Sequence, residues 1–146
     1  MFNQLLIETH WQQDEVTVFS KTHPQLRLTA FYAENEKPYS YSNITMLPKP
    51  FSLLLKELKT DVEKYCNYSF STVLLNLYRH GKDSNGWHSD DEKELVNNPV
   101  ITLLSFGAER MFHLKHKYKP ELKTKITLQH GSLLIIHETT QHFRKH

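Results

Sequence analysis

The chain has almost nothing that would tie it to a membrane, a secretory route or an oxidising compartment. A single cysteine, Cys66, excludes a disulfide framework and fits a reducing compartment. No apolar run approaches the roughly 20 residues that span a bilayer. The opening, Met1-Phe-Asn-Gln-Leu-Leu-Ile-Glu8, has no basic n-region, and its apolar run is too short for a signal peptide. The expectation is a cytoplasmic monomer, nuclear in a eukaryote, with no membrane contact. Charge of one sign is also scarce. The formal net charge is +2 and charged residues make up 23%, a balance that permits nucleic acid as a partner without requiring it. Internal repeats and low-complexity linkers are missing. At 146 residues the chain can form one domain with a real core, and not two.

What is there is a series of short apolar runs broken by turns. Leu5-Leu6-Ile7 reads equally as a strand or as the start of a helix. Val16 to Phe19 and Leu26 to Tyr32 read as strands, joined by a hairpin link from Ser20 to Pro24. Residues 34–50 are turn-rich, with three prolines. The best helix runs from Phe51 to Tyr65, with Phe51, Leu54, Leu55, Leu58 and Val62 on one face and Pro50 at its first turn. Lys56, Glu57, Lys59 and Glu63 form its solvated side. Further strands are expected over Val73–Tyr78, over Pro99–Phe106 as one buried on both sides, and over Arg110–His116 with clean alternation. Two more, Lys125–Gln129 and Ser132–His137, flank the turn His130-Gly131, and the tail from Glu138 is polar. One helix followed by many short strands predicts a mainly β fold, a sandwich or jelly roll with a helix packed against it.

The chemistry concentrates between Asn76 and Asp91. An apolar strand leads into a polar loop with two glycines, then Trp87, His88, Ser89 and Asp90. Alternate residues of a strand share a side, so His88 and Asp90 would project together. An imidazole beside a carboxylate is two-thirds of the two-histidine, one-carboxylate triad that holds Fe(II) with positions left open. By itself the His-x-Asp spacing is weak evidence, since the chain has ten histidines and most such pairs are exposed polar residues or parts of turns. Ser89 and Glu92 could instead form a helix capping box, and the charge run Asp90–Glu94 a solvated loop. The third ligand must come from later in the chain. Six histidines are candidates: His113, His116, His130, His137, His142 and His146.

Several linked stretches go further. Asn76-Leu-Tyr78, Gly86-Trp-His88-Ser-Asp90-Asp-Glu-Lys-Glu-Leu95, Ser105-Phe-Gly-Ala-Glu-Arg110 and His130-Gly-Ser-Leu-Leu134 resemble, in order, the AlkB family. Those enzymes are Fe(II)- and 2-oxoglutarate-dependent dioxygenases that repair alkylated nucleic acid. The resemblance implies a double-stranded β-helix in one domain, with residues 1–50 the nucleotide-recognition region and 71–146 the jelly-roll core. It implies Fe(II), 2-oxoglutarate and O2 as cofactors and alkylated DNA or RNA as partner. His88 and Asp90 would bind iron, with His146 as the distal ligand and His142 as its alternative. Asn76 and Tyr78 match the positions that contact 2-oxoglutarate. Tyr41 matches the aromatic that stacks on a flipped base, with Tyr39, Ser40 and Ser42 completing that wall. Asp91 matches a substrate-contacting carboxylate. Phe19-Ser20-Lys21 matches a hairpin that probes the duplex in some relatives. Arg110 matches a basic residue that steadies the 2-oxoglutarate region. Without the resemblance, Tyr39 and Tyr41 read as aromatic anchors of a surface loop or of an edge strand packed on the core, Phe19 as core, and Arg110 as half of a strand salt bridge.

The chain departs from the family at its end. The strand carrying two arginines for the far carboxylate of 2-oxoglutarate has no counterpart up to His146, so the jelly roll is expected to lack its last strand. The alternative expectation is therefore a shortened or catalytically impaired module that binds nucleic acid without turnover.

Overall fold

The computed structural model describes residues 1–41, 44–88, 100–136 and 143–146. The described residues are mainly β, with two helices. Residues 3–85 form one compact unit and residues 86–146 another.

In the first unit the opening residues resolve to a helix, α1 (Phe2–Glu8), which buries only Leu5. The hairpin that follows differs from the expected one. β1 (Glu15–Val18) pairs with β2 (Lys21–Pro24), inside what reads as a link. Its two-residue turn is Phe19-Ser20, both with positive φ, 48° and 61°. A two-residue hairpin favours this backbone, but glycine and asparagine are its usual occupants. The strand β3 (Leu28–Ala33) pairs with β6 (Thr72–Leu77), not with β1. Among the described strands it is the most buried, with Ala30, Phe31, Tyr32 and Ala33 all inside. β4 (Tyr39–Tyr41) and β5 (Ile44–Met46) form a second hairpin. Met46 packs with Phe31 and Ala33, and Tyr39, Ile44 and Leu74 close around them.

The expected helix is α2 (Leu53–Cys66). Pro50 lies before it. The cap is Ser52, whose hydroxyl accepts from the Leu55 N–H at 3.2 Å. Asn67 ends it in the left-handed region, the usual helix stop. Leu54 and Leu55 are buried as the periodicity requires, while Leu53 is left in solvent. Lys59 and Glu63 are not simply solvated. Lys59 bridges Glu34 at 3.0 Å and Glu63 at 2.8 Å, tying the helix to the end of β3. The hydrogen bond to Glu63 is the main reason the Lys59 ammonium holds its proton above the ordinary range.

The second unit has two sheets. β7 (Ile101–Leu104) pairs with β10 (Leu133–Ile136). β8 (Arg110–His116) lies between β9 (Lys123–Leu128) and β11 (Arg144–Lys145). β7 is half-buried along its length, not closed on both sides. β8 matches the expected span, with Leu114 buried and Met111 and His113 exposed. The turn at His130-Gly131 does not join a hairpin. β9 and β10 belong to different sheets, and Gly131 takes the positive φ of 74° where the chain changes sheet. In the polar tail, Arg144 and Lys145 form a short strand on the edge of β8.

Candidate functional site

His88 and His146 face each other through their backbones. His88 N–H donates to His146 O at 3.0 Å, and His146 N–H donates to His88 O at 2.8 Å. Two residues that exchange both bonds form a hydrogen-bonded antiparallel pair, and their side chains point to one face. Their rings meet edge to face with centroids 4.3 Å apart. His146 follows β11 directly, and Phe112 of β8 stacks beneath its ring at 5.4 Å and 29°. The His88 Nδ1 lies 2.9 Å from the carbonyl oxygen of Gly86. A carbonyl only accepts, so Nδ1 carries a proton, and in the neutral ring Nε2 is the nitrogen left to bind a metal. A metal-binding histidine is oriented this way, with its second nitrogen tied to a backbone carbonyl. Two imidazoles, both half-buried and one of them oriented in this way, fit two positions of a metal centre.

The other expected site residues are distributed as follows. Asp90 and Asp91 lie outside the described residues, as do Ser42, His137, His142 and the Ser89–Glu92 capping pair. Among the described residues no group of three His, Cys, Asp or Glu is placed to hold a metal ion. Asn76 sits on β6 opposite Thr29, and Tyr78 follows that strand, half-buried. Phe19 stands at the tip of the β1–β2 hairpin with 98% of its surface exposed, so it is not core. Ser20 shares the tip and Lys21 begins β2. Tyr39 stacks on Phe31 at 5.4 Å, as a core anchor would. Ser40 faces Thr45 across the hairpin at 3.4 Å, and Tyr41 pairs with Ile44. Arg110 opens β8 opposite Leu128.

Two features escaped the sequence. One is a row of lysines on the exposed side of the β11-β8-β9 sheet. Lys145, Lys115 and Lys123 stand directly opposite one another across the three strands, and His113 faces Lys125 one pair further on. Cross-strand like charges cost stability. The other is a clasp in the loop after β6. The Asp83 carboxylate, 1% exposed, accepts from the Arg79 backbone N–H at 2.9 Å, from Nε at 2.8 Å and from Nη2 at 3.1 Å. The i, i+4 spacing of the two residues hinted at a pair, but only the loop's closure buries it.

The Arg79 guanidinium, and then its backbone N–H, hold the Asp83 carboxyl down at about 2 against an ordinary 3.8. A lowered folded-state value means that the unfolded chain takes up the proton first. The clasp therefore contributes its full stability above about pH 4 and loses it as the pH falls toward 2. Asp83→Asn is expected to lower Tm at pH 7 by on the order of 5 °C. The gap to the unaltered chain should narrow to about a third by pH 2.5 in circular-dichroism melts. A gap that is the same at both pH values would show that the carboxylate charge is not what matters.

A model of the 2OG-Fe(II) oxygenase superfamily matches residues 1–146 of this chain. The chain belongs to that superfamily. Within it, the chain belongs to the AlkB family. It is 44% identical to the Bos taurus alpha-ketoglutarate-dependent dioxygenase alkB homolog 3, over 97% of this chain and 52% of the relative. The Homo sapiens protein of the same name is 42% identical over the same shares. The Homo sapiens DNA oxidative demethylase ALKBH2 is 36% identical over 88% of this chain and 52% of its own. The chain spans about half the length of the curated relatives it matches. Among the described residues of this AlkB-family chain, no helix is long and apolar enough to cross a membrane.

Proposed function

We propose that the chain carries the centre of an AlkB-type dioxygenase, dependent on Fe(II) and 2-oxoglutarate, that oxidatively demethylates alkylated bases in DNA or RNA. The observation that carries this is the pairing of His88 with His146 in a chain of this superfamily. The fold proposed is a single-domain double-stranded β-helix, with residues 1–50 as the recognition region. The passage of the chain from one sheet at β9 to another at β10 supports it. Binding without turnover finds no support in relatives that are named for dioxygenase and demethylase activity.

His88, Asp90 and His146 would hold the iron, and Asn76 and Tyr78 would contact 2-oxoglutarate. Iron, 2-oxoglutarate and O2 together supply the oxidising power that hydroxylates an N-methyl group, which then leaves as formaldehyde. The remaining work falls to the chain's own side chains. The target base must leave its stack, at a cost of a few kcal/mol, roughly. Tyr41 offsets part of that by stacking on the base, with Tyr39, Ser40 and Ser42 as the wall and Asp91 as a polar contact. Arg110 steadies the 2-oxoglutarate region. The lysine row supplies positive charge for the phosphate backbone.

The test is formaldehyde release from an N-methylated oligonucleotide by the full chain. Release should require both Fe(II) and 2-oxoglutarate and disappear in His88→Ala. Release that survives that substitution would overturn the reading.

The hairpin tip adds a second expectation. The left-handed backbone at Phe19 costs a non-glycine residue roughly 1–2 kcal/mol. Its ring recovers nothing by burial. Phe19→Gly forfeits only about 0.5–1 kcal/mol of chain entropy. The variant should therefore be as stable as the unaltered chain or slightly more so in urea titrations. Its activity on double-stranded substrate should fall relative to single-stranded substrate. Equal loss on both would show that the tip does not probe the duplex.

A further inference from the structure

The residue before His88 is held from the opposite side of the same sheet. Trp87 lies at a bend, and its contacts with Lys115 and His113 place its ring on the face of β8 opposite Phe112, which stacks on His146. That face carries His113 and Lys115 of β8, while Phe112 and Leu114 share the face of the histidine pair. The Lys115 ammonium sits over the Trp87 ring, 4.0 Å from its centroid, and the His113 ring lies 6.3 Å away. Trp87 is 45% exposed, so burial alone does not fix it. The cation over its face does, and an ammonium at this distance is attracted by the ring quadrupole. Lys115 also stands between Lys145 and Lys123, which repel it along the row. The indole gives that crowded charge a favourable place.

We propose that Trp87 and Lys115 are positioning residues for the histidine pair. The Lys115–Trp87 contact seats the segment Gly86-Trp87-His88 against β8. The Gly86 carbonyl then sets the His88 ring, and the backbone exchange between His88 and His146 carries the constraint to the second histidine. Neither residue touches the reacting atoms. The inference rests on the reading of His88 and His146 as metal ligands.

The experiment is a Co(II) titration of the full chain, followed by visible absorbance and calorimetry without substrate, for the unaltered chain and for Lys115→Met, Lys115→Arg, Trp87→Phe and His88→Ala. Charge and position predict opposite signs. Removing a nearby cation should tighten the binding of a metal ion if charge alone matters. If Lys115 positions the segment, Lys115→Met weakens Co(II) binding instead. The expected loss is roughly tenfold, the low end for supporting partners of a metal ligand. Lys115→Arg should restore it, since a guanidinium also stacks on indole. Trp87→Phe, which keeps a smaller aromatic face, should fall between. Co(II) binding that is lost in His88→Ala yet unchanged or tighter in Lys115→Met would overturn this proposal alone. No Co(II) binding by the unaltered chain would overturn the metal reading and this proposal with it.

Discussion

His146→Ala is expected to abolish Fe(II) binding and demethylation, while His142→Ala keeps both. Composition and spacing leave six histidines open as the distal ligand. The structure gives two of them other employment. The His116 Nδ1 accepts from the backbone N–H groups of Tyr118 and Lys119, both at 3.2 Å, and so serves the β8–β9 turn. The His130 Nδ1 accepts from Gly107 N–H at 2.9 Å. His113 faces the exposed side of β8 beside Trp87, away from the ring of Phe112. His146 alone among the described candidates is paired with His88. Loss of even a supporting partner of a metal ligand costs about 10–100-fold in affinity or activity. Removal of the ligand itself should cost more than about 100-fold in both. Anaerobic Fe(II) calorimetry and the formaldehyde assay check the two halves separately. Unchanged Fe(II) affinity in His146→Ala, with loss in His142→Ala, would transfer the role.

Much of the fold is legible where local rules act alone. β8 alternates so cleanly that its bounds and its buried face follow from the sequence, and the inward position of Leu114 confirms the period. α2 is legible for the same reason, although its start is set by the Ser52 hydroxyl and not by Pro50. The rest depends on partners distant in the chain. A Phe-Ser pair carries none of the usual signals for a two-residue hairpin turn, so β2 hides in a polar stretch. β11 is two residues long and has no period to detect. The pairing of β3 with β6 joins residues from Leu28↔Leu77 to Ala33↔Thr72, far apart in the chain.

The candidate site divides in the same way. Its chemistry is legible as residue types and order, because His88 and the late histidines stand in several linked stretches that resemble one family in sequence order. Its support is not. Phe112, Trp87 and Lys115 gain their roles only from the register that puts Lys145 opposite Lys115 and His146 one residue further on. Tyr39 shows the converse. The resemblance points to the substrate wall, yet its ring lies on Phe31 in the core of the first unit. One side chain can serve both ends only if its exposed edge meets the base.

Replacing Lys123, Lys125 and Lys145 together by alanine is expected to weaken oligonucleotide binding while leaving Co(II) binding intact. The three lie on one face with Lys115, and Lys123 and Lys125 are exposed. Two residues along a strand advance about 7 Å, which suits successive phosphates of a nucleic-acid strand. Among the described residues none of the three makes an ion pair. A sheet that lines up lysines Lys145, Lys115 and Lys123 pays for the repulsion unless an anion relieves it. The substitution should therefore raise thermal stability slightly in the free chain and lower affinity for the strand. Each phosphate contact to a single strand steepens the salt dependence by about 0.7 in log affinity against log salt. Loss of three contacts should flatten the slope by roughly 2. Fluorescence anisotropy with a labelled single strand, from 50 to 300 mM salt, reads the slope directly. An unchanged slope would remove this face from the nucleic-acid path. The row would then be a cost of stability without a compensating partner, and binding would have to be carried by other residues of the chain.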